Sequence, residues 1–528
     1  MKVDIIEKLP LTESPAAAVN ITKLAAEDLT ESLASSAFPA PLEVFHFVFA
    51  PKKTEKTNEG DVDPRELGRF PRCFVTNEAG LLAVATSCKF AGKHGEVVEF
   101  FATKKDGGFL AEALVGCGKE EGFKASDAHS LAQSVAKVVG QRNCKTVVLE
   151  LDGFEVDVLE AMVVGLLNHL SVDKRFRKDS KTKYELETVH VVAGALVNVE
   201  AFGERCKVLT KAMHVTRELV SAPANYANTV SIANFVTEKY TKLGLTVKVL
   251  KEEECLELGM GSYLGVSQGS LHPPRFLHAT YKGEGPTKVK IAFVGKGIMF
   301  DSGGYNIKSA SSQIETMKMD MGGMSTIFGV ADVLAALKPK GVEVHFISAT
   351  CENMVDSTAQ RPGDIVTASN GKTIEVVNTD AEGRLTLADA LVYAEKLEVD
   401  YIIDVATLTG GCIIALGYKY AAFFTDDEDL NNRFVKALDK AGELAWRLPI
   451  AKEYTDCLES KIADLSNTSY TVKCSSIAAT LFLKEFVKST KWLHWDIAGT
   501  AQDNSSLRGT GYGVRTLVNL VFDLAGES

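Results

Sequence analysis

Two carboxylates and a guanidinium fall within five residues in the stretch Asn378-Thr379-Asp380-Ala381-Glu382-Gly383-Arg384-Leu385. Asp380 and Glu382 stand at i and i+2, a spacing that in extended backbone aims both side chains to one side. Gly383 allows a turn, and an apolar helical pattern opens at Leu385 and continues through Leu387, Ala388, Leu391 and Ala394. Clustered carboxylates stay ionised most readily beside a cation. An acidic turn that caps the helix and is neutralised by Arg384 is the competing reading, since a helix N-terminus favours nearby acids. Upstream, Val294-Gly295-Lys296-Gly297-Ile298-Met299-Phe300-Asp301-Ser302-Gly303-Gly304-Tyr305-Asn306-Ile307-Lys308 adds one acid and two lysines, and Met317-Lys318-Met319-Asp320-Met321-Gly322-Gly323 adds another acid. Asp301, Asp320, Asp380 and Glu382, if they converge, would repel one another and take up protons unless divalent ions neutralised them. An oxygen-rich donor set with few histidines suits Mn, Mg or Zn. The chain has ten histidines. None lies in these stretches and no H-E-x-x-H is present, which excludes the helix-borne zinc protease site.

Together these stretches resemble the leucine aminopeptidase family, the hexameric dinuclear-metal cytosol aminopeptidases, with NTDAEGRL as that family's signature. The resemblance runs from about Val215 to the C-terminus and is weak in the N-terminal third. It implies that Lys296, Asp301, Asp320 and Glu382 ligate one metal and that Asp301, Asp380 and Glu382 ligate the other, with Asp301 and Glu382 bridging. It implies two divalent ions per subunit, Zn or Mn, with Mg or Co as alternatives. A lysine ligates only as the neutral amine, so its pKa would have to be depressed by the ions; a plain counter-ion to the acids is the alternative for Lys296. Lys308 resembles the family's catalytic lysine, whose ammonium stabilises the oxyanion of the tetrahedral intermediate. Arg384 resembles the arginine that holds a bicarbonate acting as general base, a planar anion matched to a planar fork. A surface or salt-bridging cation is the alternative for both. Met317, Thr407, Leu408, Gly410 and the segment beginning at Ile477 resemble the wall of the pocket for the first side chain. A mostly apolar lining with a flexible Met suits Leu or Met there; ordinary core packing is the alternative for Met317 and Ile477. The span from Lys308 to Asp320 is one residue longer than the family pattern, and Tyr305 replaces a small or aliphatic residue.

Something must bring these segments together. The second part of the chain alternates strands and helices. Strands are predicted at Leu245–Leu250, Lys288–Val294, Val342–Thr350, Tyr401–Ala406 and Trp492–Ile497. Helices are predicted at Gly323–Leu337, Leu385–Leu397, Leu430–Ala441 and Ile477–Val487, and Asn370-Gly371 signals a hairpin. Such alternation predicts a mostly parallel central sheet flanked by helices. Lys296, Asp301 and Thr407 then follow strand ends, where ligands bind in open α/β sheets. The first part predicts a smaller α/β domain. Its strands are expected at Val44–Phe49, Gly80–Thr86, Val97–Thr103 and Thr146–Leu151, and its helices at Ala125–Val139 and Val156–Leu170. Lys52–Asp63 and Asp173–Tyr184 read as solvated loops. The expected division is 1–195 for the N-terminal α/β domain, 196–220 for a linking helix and 221–528 for the larger catalytic domain.

Composition narrows the function. At 528 residues two or three domains are expected, and 46% hydrophobic with 24% charged residues is the balance of a soluble globular chain. A net charge of −11 argues against nucleic acid as the main partner. Ten scattered cysteines without C-x-x-C read as reduced, mostly buried thiols of a cytoplasmic protein. The first residues lack the apolar core of a secretory signal, and no apolar run approaching 18 residues is expected to cross a membrane. Gly265-Val266-Ser267-Gln268-Gly269 matches the serine-hydrolase elbow, but Pro273-Pro274 forbids the helix that should follow. The expectation is a cytoplasmic leucyl aminopeptidase acting on peptides with a free N-terminus and assembling as a homohexamer, a dimer of trimers. Hydrolysis of Cys-Gly-type dipeptides, or DNA-binding regulation, is the alternative role.

Overall fold

Alternating apolar runs and amphipathic stretches fold into two sheets, one in each part of the chain. The computed structural model describes residues 6–12, 14, 19–23, 42–50, 78–103, 109–177, 186–194, 198–469 and 473–527. The described residues divide into two compact units. The larger draws on Met1–Thr12, Ala212–Leu438 and Leu444–Ser528, and the smaller on Glu13–Lys211 and Asp439–Glu443.

In the smaller unit the strands are β1 (Asn20–Lys23), β2 (Leu42–Phe49), β3 (Val97–Thr103), β4 (Phe109–Gly118), β5 (Thr146–Glu150) and β6 (Thr188–Val192). They form one sheet in the order β1-β6-β5-β2-β4-β3. All pairs are parallel except β3–β4. The helices Ala125–Arg142 and Val156–Leu170 bury apolar faces that include Leu131, Val135, Leu159 and Leu166. Gly80–Thr86 is a correction. It lies in a helix, Glu78–Ser87, not a strand. Its Glu, Ala and Leu residues are strong helix formers, and Leu81 and Ala85, one turn apart, are the buried pair. Arg175 is a smaller correction: its side chain is buried, 2.7 Å from Asp173, rather than solvated. Residues 52–63 and 178–184 lie outside the described set.

The larger unit holds β7 (Thr246–Leu250), β8 (Arg275–Lys282), β9 (Val289–Gly295), β10 (Gly297–Asp301), β11 (Val342–Asn353), β12 (Ile365–Thr367), β13 (Thr373–Glu375), β14 (Tyr401–Ala406), β15 (Ala421–Phe424), β16 (Ala445–Arg447), β17 (Leu465–Ser466) and β18 (Lys491–Asp496). Nine of them form a sheet in the order β16-β15-β18-β14-β9-β11-β8-β7, with β10 also on β11. The central run β18-β14-β9-β11 is parallel, and β15–β18, β11–β8 and β8–β7 are antiparallel. Burial on both sides accounts for the near-continuous apolar reading of β9 and β14. The hairpin at Asn370-Gly371 joins β12 to β13, with Gly371 at φ 88°. Ser267 ends a short helix, Gly261–Ser267, so no strand–turn–helix elbow forms around it. The apolar stretch Ile314–Leu337 is long enough on composition to cross a membrane, contrary to expectation, but 83% of its apolar 18-residue part is buried inside the fold, as in a core helix. The nine described cysteines are free, and six of them are buried.

Candidate active site

At the end of β9 the chain bends through Lys296 and resumes as β10 beside β11. The bend needs room. A Cβ on Gly323 would lie 1.9 Å from Val405 O and 2.8 Å from Lys296 N, and one on Gly383 would lie 2.4 Å from Lys296 Cε. Gly383 is therefore not the turn residue that its place in the motif suggests. It opens the helix Gly383–Glu395, with Glu382 at the N-cap, and the Lys296 stem lies against its bare Cα.

The β10–β11 register shifts between Ile298 and Asp301. The extra residue is a bulge, a device that re-aims a side chain at a strand end. Asp301 Oδ1 then accepts hydrogen bonds from Gly303 N (2.9 Å) and Asn353 Nδ2 (2.8 Å). Residues 379–380 form a turn, not the extended segment expected. Thr379 fastens that turn to the loop after β10: Thr379 Oγ1 donates to Gly303 O (2.7 Å), Thr379 N donates to Asn306 Oδ1 (2.8 Å), and Asn353 Nδ2 donates to Thr379 O (3.0 Å). Gly303, at φ 88°, passes close enough that a Cβ would sit 2.9 Å from Asp380 Oδ1.

These contacts gather the predicted acids. Lys296 Nζ lies 2.7 Å from Asp320 Oδ2 and 2.9 Å from Glu382 Oε1, and it donates to Thr407 O at 3.0 Å. Lys308 Nζ lies 2.7 Å from Asp301 Oδ2 and 2.6 Å from Asp380 Oδ1. Thr407 Oγ1 donates to Asp320 Oδ1 at 2.8 Å. Lys296, Asp301, Asp320 and Glu382 are buried; Asp380 is the exposed member. Burial pushes the Asp301 carboxyl up to about 6 and Asp320 well above the usual range, with the neighbouring acids adding to it. Burial acts on Glu382 as well, but Lys296 and Lys308 outweigh it and hold Glu382 below its ordinary value. Burial opposes charge on Lys296, yet Asp320, Glu382 and Asp301 keep its ammonium strongly favoured.

The donor set fits divalent cations. Carboxylate oxygens of Asp301, Asp380 and Glu382 lie within 4.8 Å of one another. Four carboxyl groups face two ammoniums across this cluster. Glu382 Oε2 is buried and accepts no hydrogen bond. A buried acceptor without a partner carries an appreciable cost, which coordination would remove.

A cavity of about 440 Å³ opens onto this cluster. Met317, Thr407, Leu408 and Gly410 line it, joined by Ile413, Tyr418, Gln502 and Asn504. The amides make the wall more polar than the apolar lining expected. Gln313, at φ 51°, separates two short 3-10 turns in the span before Asp320. Tyr305 is off the wall, its hydroxyl donating to Asp356 O at 3.1 Å. Ile477 is also off the wall and packs against Cys412, Phe424 and their neighbours. Arg384 is buried, not a surface cation, and does not line the cavity. Its Nη1 donates to Asn467 O at 2.9 Å, and its Nε is buried without a hydrogen-bond partner. Burial lowers its pKa to about 10 against the pull of Glu382 and Asp496.

Four positioning residues were not assigned from sequence: Asn353, Thr379, Asn467 and Asp496. Asp496 ends β18 and accepts from Leu408 N (3.1 Å), Thr409 Oγ1 (2.6 Å) and Ala498 N (3.2 Å), which holds the Thr407–Gly410 loop. The strand-end rule that located Lys296 and Thr407 points equally to Asp496. A second cavity, about 470 Å³, lies at the opposite end of the sheet, but its Arg433 is already paired with Asp429 and Asp523.

Residues 214–518 match the cytosol aminopeptidase family, catalytic domain, and residues 76–180 match that family's N-terminal domain. A probable cytosol aminopeptidase of Picosynechococcus sp. is 45% identical over 455 residues, covering 84% of this chain and 91% of that protein. One from Nostoc punctiforme is 46% identical over 420 residues, covering 78% of this chain and 84% of its own. The solved structure of a mutant tomato leucine aminopeptidase superposes with a TM-score of 0.83 at 34% identity, covering 98% of this chain and 99% of that one.

Proposed function

The chain belongs to the cytosol aminopeptidase family, and from that premise we propose that it is a two-metal leucyl aminopeptidase of the cytoplasm, working on peptides with a free N-terminus. The observation that carries this reading is the convergence of Asp301, Asp380 and Glu382 within 4.8 Å at the strand ends, beneath a cavity of peptide size. Lys296, Asp301, Asp320, Asp380 and Glu382 would hold the ions, which when bound supply Lewis acidity, lowering the pKa of a water and polarising the scissile carbonyl.

The chain's own residues do the rest. Lys308 presents an ammonium at the mouth of the acid cluster, where it stabilises negative charge developing on the carbonyl oxygen. Arg384 keeps a buried guanidinium whose Nε–H has no hydrogen-bond partner; it would hold a bicarbonate, which would supply a general base. Met317, Leu408 and Ile413 offer the apolar part of a wall for a Leu-like first side chain. Thr407 orients Asp320 and accepts from Lys296, so the pocket wall and the ligand set are one loop. Assembly as a hexamer, a dimer of trimers, completes the proposal.

Chelated enzyme should lose turnover of leucine amide and regain it when Zn, Mn, Co or Mg is added back singly. Full activity in metal-free enzyme would overturn the reading. Faster cleavage of Cys-Gly than of leucine amide, or a gel shift of DNA at physiological salt, would favour the alternative roles. Sedimentation as six chains tests the assembly.

A further inference from the structure

Three donors meet on the β8–β11 pair, away from the acid cluster. In this antiparallel register His345 faces Thr280, and His278 faces Ile347. His345 precedes Asn353, the last residue of β11, by eight positions, about 26 Å along a strand. His278 Nε2 lies 3.0 Å from His345 Nδ1, and Thr280 Oγ1 lies 3.2 Å from each. Of the outer nitrogens, His278 Nδ1 is 3.0 Å from Tyr393 Oη on the helix Gly383–Glu395, and His345 Nε2 lies 3.3 Å from Glu343 Oε1 without a hydrogen bond to it.

We propose that His278, His345 and Thr280 form a second divalent-metal site, selective for an imidazole-preferring ion such as Zn²⁺, Cu²⁺ or Ni²⁺ and completed by water. The donor triangle has the size of a coordination face. Bonds of about 2.0–2.1 Å subtend separations of 3.0–3.2 Å at roughly 95–105°. The Tyr393 phenol on the His278 ring is a contact of the kind that orients a ligating histidine, and the Glu343 carboxylate lies beside the other ring. Lys282, 3.3 Å from Glu343 Oε2, keeps that carboxylate charged and in place. Imidazole nitrogens favour Cu, Ni and Zn, whereas the oxygen-rich active site takes harder ions as well. The two sites therefore differ in chemistry as well as position. Lys248 stands opposite His278 in β7 and opposes a cation there, but it is exposed and its ammonium can turn to solvent.

Cu²⁺ titrated into enzyme already loaded with its catalytic ions tests this. Pulsed electron paramagnetic resonance detects the remote nitrogen of a bound imidazole, a signature that neither carboxylates nor Lys296 can give. One Cu²⁺ per chain with that signature is expected. His278→Gln together with His345→Gln should remove it and weaken binding at least tenfold, while turnover of leucine amide stays within twofold. Thr280→Val, which leaves both rings in place, should weaken binding severalfold. Absence of the imidazole signature in the wild type overturns the proposal without reference to any variant's folding. Survival of the signature in the double variant also overturns it.

Discussion

Lys308 bridges Asp301 and Asp380; on the proposed function its charge would serve the reaction while the acids and Lys296 would hold the ions. Lys308→Ala should lower kcat by about a hundredfold or more, the scale of losing an oxyanion-stabilising donor. Metal content by elemental analysis should stay at the wild-type level, and a change confined to KM would assign Lys308 to binding instead. Gly383 supplies a second test. A methyl there meets Lys296 Cε at 2.4 Å, so Gly383→Ala should push the lysine stem aside and weaken metal binding by about 10–100-fold, as disturbing a ligand's support does. Unchanged metal affinity would show that the helix start yields instead. At this scale the acids and both lysines were singled out because the two charged stretches resemble a family signature; the residues alone left a helix-capping turn and plain counter-ions open. Asn353 and Asn467 were not legible, because their partners lie 26 to 83 positions away and only folding brings them close, whereas Asp496 ends a strand and was open to the rule that located Thr407. Gly383 was misread for the same reason: its need is set by a lysine far upstream, not by its own backbone.

Among the elements, β14 and β18 carry an ionic core. Asp404 accepts from Trp492 Nε1 at 2.7 Å and from His494 Nδ1 at 2.5 Å, with all three side chains fully buried. Asp404→Ala would strand an indole N–H and a histidine in the sheet, and should cost about 3 kcal/mol or more in denaturant unfolding. A loss under about 0.5 kcal/mol, the range of an exposed substitution, would mean that water replaces the carboxylate. The long apolar runs of β9 and β14 were legible because a strand covered on both faces has no polar positions to interrupt it. The helix Glu78–Ser87 was mistaken for a strand because a short apolar run fits either period, and only the packing of Leu81 and Ala85 decides.

On the scale of the whole molecule, the chain divides into two units with separate sheets, and acid stability is set partly in the smaller one. Glu43 is buried there, with neither carboxylate oxygen hydrogen-bonded, and Arg142 lies 3.7 Å away. Burial raises its pKa from 4.5 to about 7, against the pull of Arg142. The folded chain thus holds this proton more tightly than the unfolded chain does. Stability from Glu43 therefore rises as pH falls from about 7 towards 4.5, and above 7 the ionised carboxylate costs about 3 kcal/mol. Glu43→Gln should raise the melting temperature at pH 8 and leave it nearly unchanged at pH 5. An equal shift at both values would show that charge is not the cause. The two-unit α/β plan was legible from the alternation of strands and helices, whereas the assignment of residues 439–443 to the smaller unit was not, since no local pattern marks it. The strand-end origin of the acid cluster has a kinetic corollary. Asp301 ends β10, Asp320 precedes the helix Gly322–Leu337, Glu382 caps another helix, and Thr407 follows β14, which pairs with β9. On the proposed function no shorter fragment of the chain carries the full donor set, and stoichiometric cation uptake during refolding is expected to track completion of the sheet.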